Sequence, residues 1–279
     1  MPVRIVTDSA CDLSDADLET YGIGLVPLSI RFGDDEFVDR TELPTSEFYQ
    51  RMASSEHLPE TSAPSPGAFA TLFNSLADEG ADAVVCINLA EALSATIAAA
   101  RTAANSDDVS VDVRVIDSKS VTGGLGSIVL SCAKAAQEGK NADEIVALAE
   151  EMRDRTRVFA ALDTLENLKK GGRIGGAQAA FGALLSIKPL LDMSGGAVVA
   201  AGKQRTRKKS LAWIREKLES AGEVENLAIL HSNAPDIDEF LATLSHIPAA
   251  ATARVDTIGA VIGTHAGPGT IGITYQTKA

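Results

Sequence analysis

Apolar and polar positions along the first half of the chain follow a regular succession of strand and helix patterns. Short apolar runs predict buried strands, and apolar residues spaced three and four apart predict amphipathic helices. In chain order we predict a strand at 3–7, a helix at 14–22, a strand at 25–32, a helix near 45–52, a loop at 58–66, a helix near 69–76, a strand at 83–87, a helix at 94–105, a strand at 111–116, and helices at 121–138 and 142–155. This order predicts a parallel sheet covered by helices.

The pattern changes near Thr156, where the composition of the chain also shifts. The elements predicted beyond it are a strand at 158–162, helices at 164–170 and 177–186, two short strands flanking Ser194-Gly195-Gly196, a helix at 207–220, a strand at 227–231, a helix at 237–244, and strands at 251–256 and 271–275. We therefore predict an α/β protein with two domains. Residues 1–156 would form a three-layer domain with a mostly parallel sheet, and residues 157–279 a smaller α+β domain.

Composition narrows the class of protein. Hydrophobic residues make up 45% of the chain and aromatic residues 4%, so Ala, Val, Leu and Ile are expected to build the core. The longest nearly apolar run, 177–187, is shorter than the roughly 18 residues of a membrane span. The first residues are typical of a strand and not of a signal peptide. Cys11, Cys86 and Cys132 lack the spacing of a disulfide or metal framework. We predict a cytoplasmic protein without stable membrane insertion.

Charge is spread unevenly along the chain. The net charge is −13, but residues 169–209 contain nine basic residues and one acidic residue, which gives this segment +8 and leaves −21 on the rest. The acidic remainder argues against a nucleic-acid-binding protein, whereas the basic segment would attract an anionic partner locally. Ordinary solvated surface charges are the alternative interpretation of this segment.

Several common catalytic and cofactor motifs are excluded by their context. Gly267-Pro268-Gly269-Thr270-Ile271-Gly272 matches G-x-G-x-x-G, but only seven residues follow it, so the helix and strand of a dinucleotide site cannot form there. The chain has no G-x-S-x-G elbow of a serine hydrolase. Its four histidines are isolated and do not form a metal motif by spacing. We predict no catalytic residue and no metal.

Hydroxyl-rich segments remain as candidate binding elements. They are Thr7-Asp8-Ser9, Thr61-Ser62, Ser94-Ala95-Thr96, Asp117-Ser118 and Thr264-His265. Three of them follow predicted strands at the carboxyl edge of the sheet, where ligands of open parallel sheets bind. Ser94 either receives an anion at a helix start or simply caps that helix. Asp8 and Asp117 are expected to hold loops. His265, in a loop with three glycines, would donate a hydrogen bond to an acidic ligand.

These segments also form an ordered set along the chain. In order they are Thr7-Asp8-Ser9, Thr61-Ser62-x-Pro64-Ser65, Leu93-Ser94-x-Thr96, Asp117-Ser118, Leu168-Lys169-Lys170-Gly171-Gly172-Arg173-Ile174, Lys188-Pro189 and Gly263-Thr264-His265-Ala266-Gly267-Pro268-Gly269. Together they resemble the DegV family, and the resemblance spans nearly the whole chain. It implies a fatty acid buried at the junction of two domains, with its carboxylate held by Thr61, Ser62, Ser94 and His265.

The same resemblance implies a role. The chain resembles the non-catalytic, lipid-carrying subunit of bacterial fatty acid kinase, which serves phospholipid metabolism. It would present the carboxylate of a long-chain fatty acid to a separate ATP-dependent kinase subunit that forms the acyl phosphate. No cofactor is expected in this chain. Ala95 and Ile97 depart from the family's Ser-Gly-Thr-Tyr pattern, so head-group contacts at this backbone are expected to differ.

Two further groups of residues are expected to serve this role. Arg173 and Arg205 would dock the kinase or neutralise the developing phosphate. Small and aliphatic residues would line the acyl tunnel or belong to an ordinary helix core: Ala180, Phe181, Leu184, Leu185 and Leu190. Two alternative functions stay open. The chain could hold a small carbonyl compound, as in the substrate domain of dihydroxyacetone kinase, or it could sense a lipid without a kinase.

Overall fold

A computed structural model describes residues 2–181 and 187–278 of the chain. Its strands are β1 (Val3–Asp8), β2 (Gly24–Val26), β3 (Ser29–Phe32), β4 (Asp35–Val38), β5 (Glu60–Ser62), β6 (Ala83–Asn88), β7 (Asp112–Asp117), β8 (Thr156–Ala161), β9 (Lys188–Asp192), β10 (Val199–Gln204), β11 (Val224–His231), β12 (Arg254–Thr257) and β13 (Ile271–Thr277). Its helices are α1 (Asp15–Tyr21), α2 (Thr45–Ser54), α3 (Pro66–Asp78), α4 (Thr96–Ala104), α5 (Thr122–Gln137), α6 (Ala142–Arg155), α7 (Glu166–Lys170), α8 (Ala177–Phe181), α9 (Arg207–Glu219), α10 (Ile237–Thr243) and α11 (Ala260–Ala266). Short 3₁₀ helices lie at Ser9–Cys11 and Pro248–Thr252.

The first sheet is parallel, in the strand order β2-β1-β6-β7. Successive side chains of its central strands point to opposite faces. Val6 and Val84 pack with α3 and α4 on one face, and Ile5 and Val85 pack with α5 and α6 on the other. All residues of β6 are buried, as expected for a strand with helices on both sides. The predicted three-layer arrangement around a parallel sheet is therefore confirmed.

The predicted strand at 25–32 is wrong as a single element. It is divided into β2, in the parallel sheet, and β3, in a separate antiparallel sheet of order β4-β3-β5. Pro27 lies at the break, and proline has no N–H to continue a strand ladder. The predicted loop at 58–66 contains β5, so Thr61 and Ser62 lie on an edge strand of this small sheet.

The second sheet has six strands in the order β10-β9-β8-β13-β11-β12. All neighbours are antiparallel except β11 and β12, which are parallel. Ile214 of α9 and Phe240 of α10 pack on one face, together with Ile273 of β13. Helix α5 contacts β8, β11 and β13, and it also contacts β1 of the first sheet. It therefore lies between the two large sheets.

Three of the predicted boundaries that change in the structure bear on the residues singled out above. Helix α4 begins at Thr96 and not at Ser94. His265, predicted in a loop, lies in the last turn of α11, which ends before Gly267 at a φ of 75°. Of the predicted helix at 177–186, Ala177–Phe181 is helical, and residues 182–186 lie outside the described residues. Strand β8 begins at Thr156, while the domain division at that residue stays a prediction.

Candidate functional site

A largely apolar cavity lies between the second sheet and the loops that follow β6 and β7. About 830 Å³ of space lies between the atoms that line it, with the open solvent at its mouth included. Strands β8, β9, β11 and β13 supply one wall, and α11 supplies another. Leu89, Leu93, Val121, Leu168 and Leu191 are among its aliphatic lining residues. A cavity of this lining suits the tail of an apolar ligand.

Four polar side chains that the sequence singled out line this cavity together: Thr61, Ser94, Arg173 and His265. They come from β5, the segment before α4, the segment after α7, and the last turn of α11. Thr61 Oγ1 lies 2.9 Å from His265 Nε2, although 204 residues separate the two in sequence. The guanidinium of Arg173 donates to the carbonyl of Leu93, the residue before Ser94. These contacts place the four side chains at one end of the cavity.

The imidazole of His265 is held neutral at this end. Burial and, to a smaller extent, the nearby positive charge of Arg173 together lower its pKa to about 4. Its Nε2 contacts Thr61, and its Nδ1 is buried without a hydrogen-bond partner among the described residues. A neutral ring carries one N–H and one lone pair, and the hydrogen-bond network decides which nitrogen holds the proton. The unpaired nitrogen leaves the ring with capacity for a further partner.

Arg173 is a fixed cation at the edge of the cavity. Its Nε donates to the Leu93 carbonyl at 3.2 Å, and its Nη1 donates to the Gly171 carbonyl at 2.8 Å. These two bonds use only part of the five N–H donors of a guanidinium. The remaining donors make Arg173 able to bind an anionic oxygen while it ties two loops together.

Ser94 turns the chain into α4 without capping it in the predicted way. Its Oγ lies 2.9 Å from Thr96 Oγ1 and accepts from the Thr96 N–H at 3.3 Å. The N-cap position itself is Ala95, which offers no side-chain hydrogen bond. Ile97, the second departure from the family pattern, is fully buried in the core. The Ser94 hydroxyl therefore lines the cavity beside the start of a helix.

The other predicted site residues lie away from these four. Ser62 is exposed, because neighbouring residues of β5 point to opposite sides, and it does not line the cavity. Arg205 is exposed in the connection between β10 and α9.

The predicted tunnel residues also fall in different places. Leu190 packs against α9 while its neighbour Leu191 lines the cavity. Phe181 packs beneath that wall with Leu168, and Leu184 and Leu185 lie outside the described residues.

Asp8 and Asp117 hold the loops beside the site. Asp8 accepts from the backbone N–H groups of Ala10 and Leu89 and from the Asn88 side chain. Complete burial nevertheless raises the pKa of Asp8 to about 6. Asp117 accepts from the N–H groups of Glu91 and Lys119. Both carboxylates therefore have the supporting role that the sequence suggested.

Two residues that sequence reasoning did not select position His265. Gly171 packs directly against the imidazole, and a Cβ added there would lie within 2.9 Å of His265 Cε1. The Asn167 side chain donates to the carbonyl of Thr264 at 3.1 Å. The glycine pair between Lys170 and Arg173 was the visible signal, since glycine permits close approach of backbone to another group.

Within 2–181 and 187–278, no helix is long and apolar enough to cross a membrane. In that part of the chain, no group of three or more His, Cys, Asp or Glu side chains is arranged to hold a metal ion.

Comparison with known proteins gives consistent matches over the whole chain. The family model described as "Uncharacterised protein, DegV family" matches residues 2–278. A DegV domain-containing protein of Streptomyces coelicolor is 37% identical over 280 residues, with 99% of each chain covered. A fatty acid-binding DegV family protein of Thermus thermophilus has a TM-score of 0.88 at 33% identity, with 100% of both chains covered. A stearic acid-binding protein of Eubacterium ventriosum has a TM-score of 0.86 at 27% identity, covering 99% of this chain and 98% of its own. The predicted family is thus confirmed, and this chain belongs to the DegV family.

Proposed function

We propose that this protein binds a long-chain fatty acid, with the acyl chain in the apolar cavity and the carboxylate beside Thr61, Ser94 and His265. The observation that carries the proposal is the meeting of these three side chains and Arg173 at one end of an otherwise mainly aliphatic cavity. Fatty acids are the ligands of the similar Thermus and Eubacterium proteins. A carboxylate matches hydroxyl and imidazole donors and a fixed guanidinium.

The acyl chain would supply most of the affinity. Burial of one CH₂ group is worth about 0.8 kcal/mol, so a dozen buried groups contribute roughly 10 kcal/mol before the entropic cost of association. Each hydrogen bond to the carboxylate adds about 1.5–3 kcal/mol. The polar end therefore fixes the orientation of the ligand, and the aliphatic wall holds it.

Substitutions at the polar end test this assignment. We expect Ser94→Ala and His265→Ala each to weaken fatty acid binding roughly ten- to a hundredfold, the equivalent of one hydrogen bond to a charged group. Ser62→Ala is the matched control, since Ser62 is the exposed neighbour of Thr61 and does not line the cavity. Native mass spectrometry would measure lipid occupancy. Equal occupancy in all four proteins would contradict the assignment.

We further propose that the bound carboxylate is presented to a separate ATP-dependent kinase subunit, and that this chain is itself non-catalytic. The strand register supports a docking surface near the carboxylate. Ile271, Ala161 and Lys188 lie at one end of the second sheet, and Gln204 pairs with Lys188 there. Helix α11 leads into β13 at this same end, and Arg205 follows directly after β10. The exposed Arg205, Lys208 and Lys209 therefore lie at the end of the sheet where His265 is found.

Charge reversal tests the docking surface separately from ligand binding. We expect Arg205→Glu to reduce acyl phosphate formation by the kinase subunit of the same organism with ATP and stearate, while stearate affinity stays unchanged. Lys278→Glu is the control, because Lys278 is exposed at the opposite end of the sheet, next to Thr277. Turnover equal to that of the unmodified protein would refute the docking role of Arg205. Arg173 is less suitable for this test, since it also holds Leu93 and Gly171.

A further inference from the structure

Two threonine hydroxyls interrupt the aliphatic lining of the cavity away from its four-residue polar end. Thr122 and Thr274 both line the cavity and are 5% and 1% exposed. Neither Oγ1 has a hydrogen-bond partner among the described residues. A buried polar atom without a partner destabilises the folded protein. An acyl chain with only methylene groups at this place would therefore leave both hydroxyls without a hydrogen-bond partner.

The two threonines lie on neighbouring elements, helix α5 and strand β13. Thr274 Oγ1 is 3.2 Å from the position that a Cβ on Gly123 would occupy, and Gly123 directly follows Thr122 in the first turn of α5. The Asp12 carboxyl group lies beside Thr122 without closing a hydrogen bond to it, and it attracts the hydroxyl hydrogen. The lone pairs of Thr122 Oγ1 are then available to a donor in the cavity, and Thr274 can supply its own hydrogen.

The pair is well separated from the carboxylate end. Thr270 donates to the carbonyl of Ala266, the neighbour of His265, and so marks that end of the cavity. Four residues of extended chain lead from Thr270 to Thr274, which corresponds to roughly 13 Å. On the other side, Asp12 also contacts Gly259, which precedes α11, whereas His265 lies in the last turn of that helix. Six residues separate Gly259 from His265 along this helix, which corresponds to roughly 9 Å.

We propose that Thr122 and Thr274 bind a hydroxyl group in the middle of the acyl chain, so that the preferred ligand is a hydroxylated long-chain fatty acid. This inference rests on the proposed function of the cavity. The ligand hydroxyl donates to Thr122 Oγ1 and accepts from Thr274 Oγ1, so that each threonine gains a hydrogen-bond partner. A hydroxyl near the carboxylate, or near the far end of the chain, does not reach them.

The test compares ligands that differ only in the position of one hydroxyl. The dissociation constants of stearate, of an α-hydroxystearate and of stearates hydroxylated in the middle of the chain would be measured by calorimetry on delipidated protein. We expect a mid-chain hydroxyl to tighten binding roughly tenfold relative to stearate, as two net hydrogen bonds would, and the α-hydroxyl to give no such gain. Thr274→Val should remove the preference for the mid-chain hydroxyl over stearate, and Thr274→Ser should retain that preference.

The outcomes separate this inference from the function on which it rests. If the protein binds stearate but shows no preference for any hydroxyl position, the hydroxyls are satisfied by water and the inference is overturned. A preference that survives unchanged in Thr274→Val overturns it as well. Failure to bind any of these acids would instead count against the proposed function. Thermal melting of both variants checks that they fold.

Discussion

Gly171 leaves room for the His265 imidazole, and replacing it with alanine tests whether the position of that ring governs ligand binding. A Cβ on Gly171 would lie 2.9 Å from His265 Cε1, closer still to Nδ1, and 3.0 Å from the carbonyl oxygen of Asn167. The residue has a φ of −71°, which any L-amino acid adopts. The effect of alanine would therefore come from the volume of its methyl group and not from backbone strain.

The expected magnitude follows from these contacts. Ordinary contacts to a Cβ begin at 3.4 Å, so the ring must withdraw from Gly171 or the loop must shift. Overpacking of this kind costs about 1–3 kcal/mol of folding stability. Displacement of the ring also breaks its 2.9 Å contact with Thr61 and moves a donor away from the carboxylate. Loss of one hydrogen bond to a charged group weakens binding roughly ten- to a hundredfold.

Stearate affinity of Gly171→Ala would be measured beside that of Gly195→Ala. Gly195 is exposed in the turn between β9 and β10, and apart from Gly195 and its two chain neighbours no described residue has an atom within 4 Å of its Cβ position. The control therefore carries the same change in chain composition without touching the imidazole. If both variants bind stearate as tightly as the unmodified protein, the placement of His265 by Gly171 has no part in ligand binding.

Two further predictions concern ionisation. Because burial lowers the pKa of His265 to about 4, its NMR titration in the delipidated protein should have a midpoint near that value, and a midpoint near 6.5 would contradict the buried ring. Burial raises the pKa of Asp12 to about 7, so the stability it contributes is present below about pH 4 and is lost as the pH rises to about 7. Asp12→Asn should flatten this fall in the free energy of unfolding, measured with urea; an unchanged pH dependence would refute it.

The parallel sheet was predictable because its strands are continuous apolar runs separated by helix-length segments. Ala83–Asn88 is buried throughout, and such a run has only one stable environment, between two layers of helices. The small sheet of β3, β4 and β5 was not predictable in the same way. Its strands have three or four residues with mixed exposure. The break between β2 and β3 is marked in the sequence by Pro27 alone. Local patterns of this length do not distinguish a strand from a loop.

The candidate site was only partly accessible from the sequence. Residue spacing identified His265 and Ser94 as polar groups in segments rich in small residues, but the contact between Thr61 and His265 joins residues 204 positions apart. Only the resemblance to the DegV family predicted that Thr61 and His265 would lie in the same site. The place of Thr122 in the cavity lining was not predicted. Its φ of 47° is a backbone conformation that sequence patterns do not predict for a β-branched residue such as threonine.

The neutral state of His265 has a consequence for how the proposed ligand would be held. An imidazolium beside Arg173 would create two adjacent cations; burial and this guanidinium both disfavour it and lower the pKa of His265 to about 4. The carboxylate would then meet one fixed cation, which is already bonded to two backbone carbonyls, and several neutral donors. Such an end orients the carboxylate without burying it in a closed ion pair. If the aliphatic wall supplies most of the affinity, as proposed above, the proposed presentation to a kinase subunit requires only that one carboxylate oxygen stay free to attack a phosphoryl group.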